Sequence, residues 1–552
     1  MIGLAAGAGF LLFGYDQGVM GSLLTLPSFT KQFPEIDTVG LGGASHESVL
    51  QGVVIGIYEI GCLIGALSCL VIGDVLGRRK VILIGTIWMV AGAILQATSF
   101  KISQLAIARV VTGIGNGMNT ATIPTWQSEC SPSHLRGKLI MIEGALITGG
   151  IMISYWIDFA FFWVDKNGLP HADAAWRVPI ALQILLCFPT AILTISLPES
   201  PRWLMLKGRE DEAREVMSSL DELPLDDPEL NVKVKEIKDS LAEVTNVRLS
   251  DLFTNGKGRN FHRMMLGFTS QMFQQISGIN LITYYAGTIY QNNIGLSDIV
   301  SRIVAAANGT EYFAASWIAV WLVERTGRRP LMLVGAMGQC LSMVVLAVTN
   351  APSITRPVHK LGPNGQPMYN RDGSKVMGGT NDAAAIIAAV MLFSFNTWFA
   401  IGWLGMTWLT PAEMTPLPVR AACNGISTAS NWIFNFLIVL ITPISFANIG
   451  YKTYVIFAVI NLVIFVATYF IFPETAGRSL EEMDEIFARA SKTNPFDVVL
   501  IERRTPRRYD KHGKPIALLD DVEDNAMHAR AGVTEERKAK QGSVSEHSSN
   551  NV

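Results

Sequence analysis

Long apolar runs separated by short charged turns dominate the hydrophobic pattern of the chain. Twelve runs are long enough to cross the hydrocarbon core of a bilayer as α-helices, which takes about 20 apolar residues. Their approximate bounds are 2–26, 48–73, 81–99, 104–127, 138–161, 176–197, 262–290, 298–323, 331–350, 383–410, 421–447 and 451–472. Backbone in lipid must be helical unless it closes into a barrel, and the alternating ten-residue strands of a barrel are not seen. The pattern therefore predicts an all-α integral membrane protein with twelve transmembrane helices, called spans 1–12 below.

Composition agrees with a membrane protein. Charged residues make up 16% of the 552 residues and hydrophobic residues 49%, whereas about 25% of an ordinary soluble protein is charged. The net charge of −2 argues against a nucleic-acid partner recruited by bulk charge. We expect the lipid bilayer as the chain's surroundings and no soluble enzyme.

Lysine and arginine are concentrated on one side of the predicted bundle. They fill the turns after spans 2, 4, 8 and 10 and the long stretch after span 6, while the opposite turns are poor in them. Because short cytoplasmic loops carry an excess of positive charge, this side is predicted to be cytoplasmic, together with both termini.

Three short motifs occur twice, in the same order, along the chain. They combine acids with glycine, proline or arginine at the ends of spans 2, 4 and 6 and again at the ends of spans 8, 10 and 12. The copies are Asp74–Arg79 and Glu324–Arg329, Glu129–Arg136 and Glu413–Arg420, and Pro198–Ser200 and Pro473–Thr475. The repeat predicts two pseudo-symmetric six-helix halves, 1–197 and 262–472. A cytoplasmic loop with short helices, 198–261, joins them, and the cytoplasmic tail, 473–552, is predicted to be largely disordered after about 490.

Duplicated halves imply a substrate site between them near the middle of the membrane, opened alternately to each side. Arginine forks can bind carboxylates bidentately, so the repeated motifs are candidates for a cytoplasmic latch. It would tie the halves together when the carrier faces outward and break when it faces inward. The latch candidates are Asp74, Arg78, Arg79, Glu129, Arg136, Glu199, Arg202, Glu324, Arg328, Arg329, Glu413, Arg420, Glu474 and Arg478. The alternative is that these residues only anchor the membrane edge by positive charge.

Two ionisable residues fall inside predicted spans, where charge is costly and usually functional. Asp16 lies within span 1 and Arg109 opens a glycine-rich stretch of span 4. A buried aspartate is stable as the anion beside an arginine and as the acid without one, so the two could form a proton switch. The alternative is a static ion pair. Further acids in or near spans, without an assigned role, are Glu59, Glu143, Asp158 and Glu311.

Uncharged polar residues gather in span 7 and in spans 10 and 11. Gln271, Gln274 and Gln275 are spaced to share one face of a helix. Amides offer both donors and acceptors and so suit a hydroxylated ligand, with aromatic faces for its C–H surfaces. The candidate substrate residues are Gln271, Gln274, Gln275, Asn280, Tyr284, Trp408, Asn431, Trp432 and Asn435. The alternative is that the amides only join helices. No metal, nucleophile or phosphate-loop motif stands out, so no cofactor is expected beyond H⁺ as a coupling ion.

These motifs together resemble the sugar porter family of the major facilitator superfamily over about residues 1–490. The resemblance rests on Gly77-Arg78-Arg79, Glu129 with Arg136-Gly137, Pro198 to Arg202, Gln274-Gln275-x-x-Gly278-x-Asn280, Asn431-Trp432 and Pro473 to Arg478. It implies the major facilitator fold, and it implies that Gln274, Gln275, Asn280, Trp408, Asn431 and Asn435 contact substrate. Asp16 and Arg109 match the proton-coupling pair of the family's symporters, although some facilitators also keep the aspartate.

Other phrases resemble the fungal sugar-transporter-like group, which includes glycerol/proton symporters. They are Gly14–Gly18, Thr122–Glu129, Ile142–Gly144 and Tyr155–Asp158. This likeness implies a multi-pass protein of a fungal plasma membrane, functional as a monomer. Three positions that are often polar in sugar carriers are here Gly144, Tyr312 and Ala400, which puts a hexose in doubt.

The sequence thus predicts a carrier for a sugar or small polyol, working by proton-coupled symport and alternating access. A proton-independent facilitator and a nutrient sensor that does not transport are the alternatives.

Overall fold

The structure is a computed structural model. It describes residues 1–37, 45–131, 133–166, 172–225, 252–256, 258–294, 296–352, 357–359, 377–379, 382–416, 419–478, 480–491 and 494–506, with scattered positions between 227 and 238. Of residues 133–136 only the backbone is described.

The first half of the chain forms long helices joined by tight turns. They are α1 (Ile2–Leu23), the short α2 (Pro27–Gln32), α3 (Ser45–Leu76), α4 (Arg78–Ala97), α5 (Ile102–Glu129), α6 (Ser133–Lys166) and α7 (Ala174–Ser196). A 3₁₀ turn at Pro34–Ile36 follows α2. Two short helices, α8 (Pro201–Leu206) and α9 (Glu210–Asp221), begin the predicted central loop.

The second half repeats the plan with two of its spans interrupted. Its helices are α10 (Asn260–Ile276), α11 (Ile279–Thr288), α12 (Asp298–Thr326), α13 (Arg328–Thr349), α14 (Asp382–Phe399), α15 (Met406–Met414), α16 (Arg420–Ile449) and α17 (Lys452–Ile471). The short helices α18 (Leu480–Arg489) and α19 (Asp497–Arg504) lie in the predicted tail.

Each of the twelve predicted spans falls on helix. Within the described chain, eight helical segments are long and apolar enough to cross a membrane: Glu47–Leu76, Arg78–Ala97, Gly137–Lys166, Ala174–Ser196, Arg328–Thr349, Ala383–Met414, Ala422–Ile449 and Lys452–Ile471. The other four predicted spans, 1, 4, 7 and 8, are the ones that carry most of the buried ionisable and amide side chains. Polar side chains inside a bundle mark its functional interior, so these four helices locate the site.

Spans 7 and 10 are interrupted, contrary to the continuous helices predicted. Gly278 has φ +105 between α10 and α11, and Tyr285 within α11 departs from helical geometry at φ −127 and ψ 19. A π-helical segment at Ala400–Leu404 separates α14 from α15. Such breaks leave backbone carbonyls unpaired in mid-membrane, where they need side-chain donors.

Among the described residues, the halves meet mainly where α1 packs on α11, α3 on α16 and α6 on α12, and α6 also contacts α15. Most of the buried apolar side chains form one core that runs across this junction. The loop between spans 9 and 10 holds a small antiparallel strand pair, Pro357–His359 with Met377–Gly379, that the sequence did not predict.

Candidate functional site

Asp16 of α1 and Arg109 of α5 meet inside the first half, as an ion pair cut off from solvent. Arg109 Nη1 lies 3.9 Å from Asp16 Oδ1, and both side chains are 0% exposed. Arg109 Nη2 donates to the Ile55 carbonyl oxygen at 3.2 Å, and the guanidinium carbon lies 4.5 Å from the centroid of the Tyr58 ring. The arginine is therefore held by α3 as well as by the aspartate.

The Asp16 carboxylate has spare hydrogen-bonding capacity. The Tyr58 hydroxyl and the Gln183 amide face it, yet neither carboxylate oxygen accepts a hydrogen bond from any described residue. A buried carboxylate with open lone pairs and one long ion-pair contact can take up a proton without first breaking a hydrogen-bond network. The arrangement has the chemistry of a proton site.

Small residues bring α3 against Arg109. Gly61 and Gly65 of α3 face Gly113 and Gly117 of α5, and a Cβ at Gly113 would overlap the backbone of α3. Helices in lipid approach closely where such residues line the interface. The approach delivers the Ile55 carbonyl to the guanidinium and places Tyr58, Glu59 and Cys62 next to the ion pair.

The predicted substrate amides form one chain of hydrogen bonds. Asn431 donates from Nδ2 to Gln271 Oε1 at 2.6 Å and to Gln274 Oε1 at 2.9 Å. Gln275 donates to Gln274 Oε1 at 3.3 Å, and Asn280 donates to Gln275 Oε1. All five side chains are buried.

This amide chain crosses from one half to the other. Gln17 of α1 donates from Nε2 to Asn280 Oδ1 at 3.2 Å. Gln17 directly follows Asp16 in the chain, so one turn of α1 carries both the buried Asp16 carboxylate and the end of the amide chain. The sequence contained this signal, an amide next to the intramembrane acid, but Gln17 was not among the predicted site residues.

The break in span 10 is tied to the same amides. Gln274 Nε2 donates to the carbonyl oxygens of Trp403 and Leu404, each at 3.0 Å. Gln271 Nε2 donates to the Thr407 carbonyl oxygen at 3.1 Å. The amides thus satisfy carbonyls that the π-helical segment exposes, and they join spans 7, 10 and 11 around one polar centre.

The remaining substrate candidates lie around this centre and differ in their burial and in their hydrogen bonds. Trp432 is fully buried, with its ring 5.7 Å from Phe13 of the other half. Trp432 Nε1 and Asn435 Oδ1 have no hydrogen-bond partner among the described residues. Trp408 is half-buried. The Tyr284 hydroxyl is already engaged, because it donates to Glu59.

Other intramembrane acids are also buried. Glu143 is 3% exposed and its Oε1 has no partner in the described chain. Asp158 is 0% exposed and faces Arg302 of the other half, whose Nη1 donates to the Ser22 carbonyl oxygen at 2.9 Å. Glu311 accepts from Thr397.

The three departures from the sugar-porter pattern have packed surroundings. A Cβ on Gly144 of α6 would lie 3.6 Å from Gly405 at the end of the π-helical segment. Tyr312 is buried edge-on to Phe399, with ring centroids 6.2 Å apart. Ala400 is fully buried and opens the π-helical segment. These three positions thus hold packed small or aromatic groups in place of polar side chains.

On the membrane face where α3 turns into α4, Arg78 binds two carboxylates. It forks onto Glu129 at 3.0 and 3.1 Å and reaches Asp74 at 3.0 Å. Glu199 accepts the backbone N–H groups of Arg78 at 3.1 Å and Arg79 at 3.2 Å. We call these five residues the N-half latch.

The second half repeats this arrangement. Arg328 forks onto Glu324 at 3.0 and 3.1 Å and reaches Glu413 at 2.9 Å. Glu474 accepts the backbone N–H groups of Arg328 at 2.9 Å and Arg329 at 3.1 Å. We call these five residues the C-half latch.

Each latch is built on a glycine turn that no other residue could fill. Gly77 has φ +90 and Gly327 has φ +98. A Cβ on Gly77 would come 2.6 Å from Glu199 Oε2, and one on Gly327 would come 2.6 Å from Glu474 Oε2. The glutamate can therefore sit over the first turn of the following helix, where free N–H groups and the helix dipole favour an anion.

The expected tie between the halves is not seen in this structure among the described latch residues. The ion pairs seen among the described latch residues run within each half, not between the halves. The reason is geometric, since each arginine starts a helix whose own half supplies the adjacent carboxylates. Between the halves, a Cβ on Gly137 would lie 3.4 Å from Glu324 Oε1.

The other latch candidates have separate surroundings. Arg420 donates to the Thr415 carbonyl oxygen at 3.0 Å. Arg478 binds Glu502 of α19 at 2.8 Å. Arg202 makes no ion pair with the described residues, and the side chain of Arg136 lies outside them.

Comparison with known proteins now places the chain. The family model described as "Sugar (and other) transporter" matches residues 2–487. The chain belongs to this family. It is a multi-pass membrane transporter and not an enzyme.

Curated relatives cover nearly the whole transporter. "Sugar transporter STL1" of Saccharomyces cerevisiae is 35% identical over 529 residues, which are 94% of this chain and 87% of the relative. "MFS-type transporter oryC" of Aspergillus oryzae is 38% identical over 508 residues, 90% of this chain and 87% of the relative.

A solved structure of the same fold is that of XylE from E. coli, described as a major facilitator superfamily proton:xylose symporter, bound to 6-bromo-6-deoxy-D-glucose. It matches with a TM-score of 0.69 at 22% identity, covering 88% of this transporter and 98% of XylE. The likeness confirms the predicted major facilitator fold of twelve helices in two halves.

Proposed function

We propose that this transporter carries a sugar or small polyol by alternating access and couples the movement to protons. One observation carries the proposal: Asp16, paired with Arg109, is followed at once by Gln17, which ends the amide chain of the other half. A change of charge at Asp16 therefore acts on α1, the helix whose Gln17 ends the amide chain.

The substrate class follows from the chemistry of the polar centre. The amide chain offers donors and acceptors without net charge, as a hydroxylated, uncharged ligand requires. The names of two similar proteins, a sugar transporter and a proton:xylose symporter, support the same class. Because Gly144 and Ala400 replace polar side chains, a small polyol such as glycerol suits this centre better than a hexose.

The latches are proposed to act on each half separately. Since each binds three helix ends of its own half, it keeps that half rigid while the halves rock against each other. The latch face carries the arginine clusters and is proposed to be cytoplasmic. The units would be the halves 1–197 and 262–472, the loop 198–261 and the tail 473–552, with both termini cytoplasmic.

Fungal relatives support a fungal plasma membrane as the location, and the site lies within one chain, so a monomer would suffice. STL1 and oryC are both named as transporters, which favours a carrier over a non-transporting sensor.

The test is uptake of labelled glucose, xylose and glycerol in cells lacking their own carriers, with and without a protonophore. We expect one of the three to accumulate above its outside concentration, glycerol first, and the protonophore to abolish this accumulation. Uptake that only equilibrates and ignores the protonophore would establish a facilitator. Binding without uptake would establish a sensor.

A further inference from the structure

A second buried carboxylate lies beside the proton site and touches the opposite half. Glu59 of α3 and Tyr284 of α11 are each 0% exposed. The Tyr284 hydroxyl donates to Glu59 Oε1, so this hydrogen bond joins the two halves inside the membrane. Glu59 Oε2 has no hydrogen-bond partner among the described residues.

The charged and titratable groups around Glu59 come from three other helices and its own. Tyr284 faces it from α11, Arg109 from α5 and Asp16 from α1. Tyr58 and Cys62 face it from α3 itself. The contacts of α16 with α3 at Gly52 and Gly56 are made by Leu440, Phe436 and Val439, which are apolar. The Arg109 guanidinium thus lies near two buried carboxylates, those of Asp16 and Glu59.

The segment that carries Tyr284 is bounded by interruptions of the helix. It begins after the break at Gly278, contains the non-helical Tyr285 and runs into a π-helical turn at Ile289–Asn293. Three side-chain hydrogen bonds hold it to the first half: those of Tyr284 with Glu59, of Asn280 with Gln17, and of Tyr155 with the Thr283 carbonyl oxygen. Because span 7 begins on the latch face, α11 lies toward the opposite face.

We propose that Glu59 is a positioning residue that transmits the protonation of Asp16 to α11. With Asp16 ionised, Arg109 pairs with Asp16, and Glu59 lies beside the pair. A proton arriving from the aqueous side adds to an Asp16 oxygen, and the attraction of Arg109 is then left to Glu59. This attraction favours the charged form of Glu59, and a hydrogen bond to a charged acceptor is about twice as strong as a neutral one. Proton binding thereby strengthens the closure of α11 over the loaded centre.

The inference rests on the proposed proton coupling, and the experiment separates the two. The purified full-length transporter is reconstituted in liposomes with whichever of labelled glucose, xylose and glycerol it transports. Uphill accumulation under an imposed proton gradient reports coupling, and equilibrium counterflow without a gradient reports the carrier cycle alone. The variants are Tyr284→Phe and Glu59→Gln.

A matched control lies next in sequence. Tyr285 is also a buried tyrosine of α11, but its hydroxyl donates to the Val439 carbonyl oxygen of its own half at 2.8 Å. Tyr284→Phe and Glu59→Gln should each lower accumulation about tenfold while counterflow stays within about threefold of wild type, because a charge-assisted bond is lost from the closed state. Tyr285→Phe should leave accumulation within about twofold, since a neutral bond within one half does not respond to the proton.

The outcomes are distinct. A wild-type protein that does not accumulate substrate overturns the proton-coupled function and this inference with it. If wild type accumulates and Asp16→Asn does not, the function stands, and equal accumulation in Tyr284→Phe and Tyr285→Phe overturns the inference alone. Equal loss of counterflow and accumulation in both Tyr284→Phe and Glu59→Gln also overturns the inference. That pattern would mean that the Glu59–Tyr284 hydrogen bond has only a structural role.

Discussion

The two halves carry nearly identical latches and very different interiors. Arg78 and Arg328 each bind two carboxylates, and Glu199 and Glu474 each cover the start of the next helix. Within the bundle, by contrast, the first half buries Asp16 and Arg109, while the second half buries the amide chain from Gln271 to Asn431. The latches retain the symmetry of the duplication, and the interiors have lost it.

This difference separates two tasks. A latch must satisfy helix ends and arginines that both halves possess, so its residues repeat. The interior must bind an uncharged ligand and respond to charge, and one side chain cannot do both at once. An amide keeps its hydrogen bonds at every pH, whereas a carboxylate changes its charge. We therefore expect substitutions in the first-half interior to affect coupling, those in the second-half interior to affect binding, and those in the latches to affect rate.

The largest effect is expected at Asp16. Asp16→Asn removes the only group of the ion pair that can exchange a proton, so uphill accumulation should disappear and the ratio of inside to outside substrate should fall to about 1. Counterflow should persist, because Asn can still occupy the space beside Arg109. Measuring both in one preparation tests the assignment of coupling to the first half.

Asp158→Asn is the matched control for that experiment. Asp158 is also a fully buried aspartate that faces an arginine, but its arginine is Arg302 and it is not part of the ion pair with Arg109. Accumulation should survive this change. Undiminished accumulation in Asp16→Asn would contradict the division between the halves.

The second largest effect is expected at Gln274, on the affinity for substrate. Gln274→Leu keeps the size of the side chain but leaves the Trp403 and Leu404 carbonyls without their amide donor and Asn431 without one acceptor. Loss of such bonds should raise the half-saturating substrate concentration about tenfold or more, with the proton dependence retained. Concentration series of initial uptake rates measure this.

Gln339→Leu serves as the control for affinity. Gln339 of α13 is equally buried, but neither end of its amide has a partner among the described residues. Its removal should leave half-saturation within about twofold, since no hydrogen bond is lost. If Gln274→Leu instead abolishes proton coupling at unchanged affinity, the second half would share the task assigned to the first.

Sequence alone predicted the architecture and named most residues of the candidate site, because hydropathy, positive charge and a repeated motif are local signals. It did not predict the partners. Arg78 pairs with Glu129 because the ends of α3, α4 and α5 converge. A sequence motif does not show whether its residues pair within one half or between the halves. Glu59 and Tyr284 are 225 positions apart, so only the packing of α11 on α3 reveals their bond. The break in span 7 was hidden because a glycine is tolerated within membrane helices.

A smaller effect is expected at the latches, and it tests their symmetry. Glu129 receives both prongs of the Arg78 fork, whereas Glu413 receives one bond from Arg328. Glu129→Gln should lower the maximal transport rate about tenfold and Glu413→Gln about threefold, with half-saturation unchanged, because charge-assisted bonds are lost in proportion. Glu35→Gln, at an exposed glutamate on the other face, should change neither the maximal transport rate nor half-saturation. A raised half-saturation in either latch variant would contradict a role confined to rate.

The smallest effect on transport is expected where the latches differ. In the second half Arg478 extends to α19, donating to Glu502 Oε1 at 2.8 Å and to the Thr505 carbonyl oxygen at 2.9 Å. Its counterpart in the first half, Arg202, has no such ion pair among the described residues. Arg478→Ala should free α19, so that trypsin cuts at Arg503 and Arg504 about tenfold faster while transport stays within about twofold. Arg202→Ala should leave the cleavage rate unchanged. Equal cleavage of wild type and Arg478→Ala would show that apolar packing alone holds α19. The ion pair of Arg478 would then make no functional difference between the two latches.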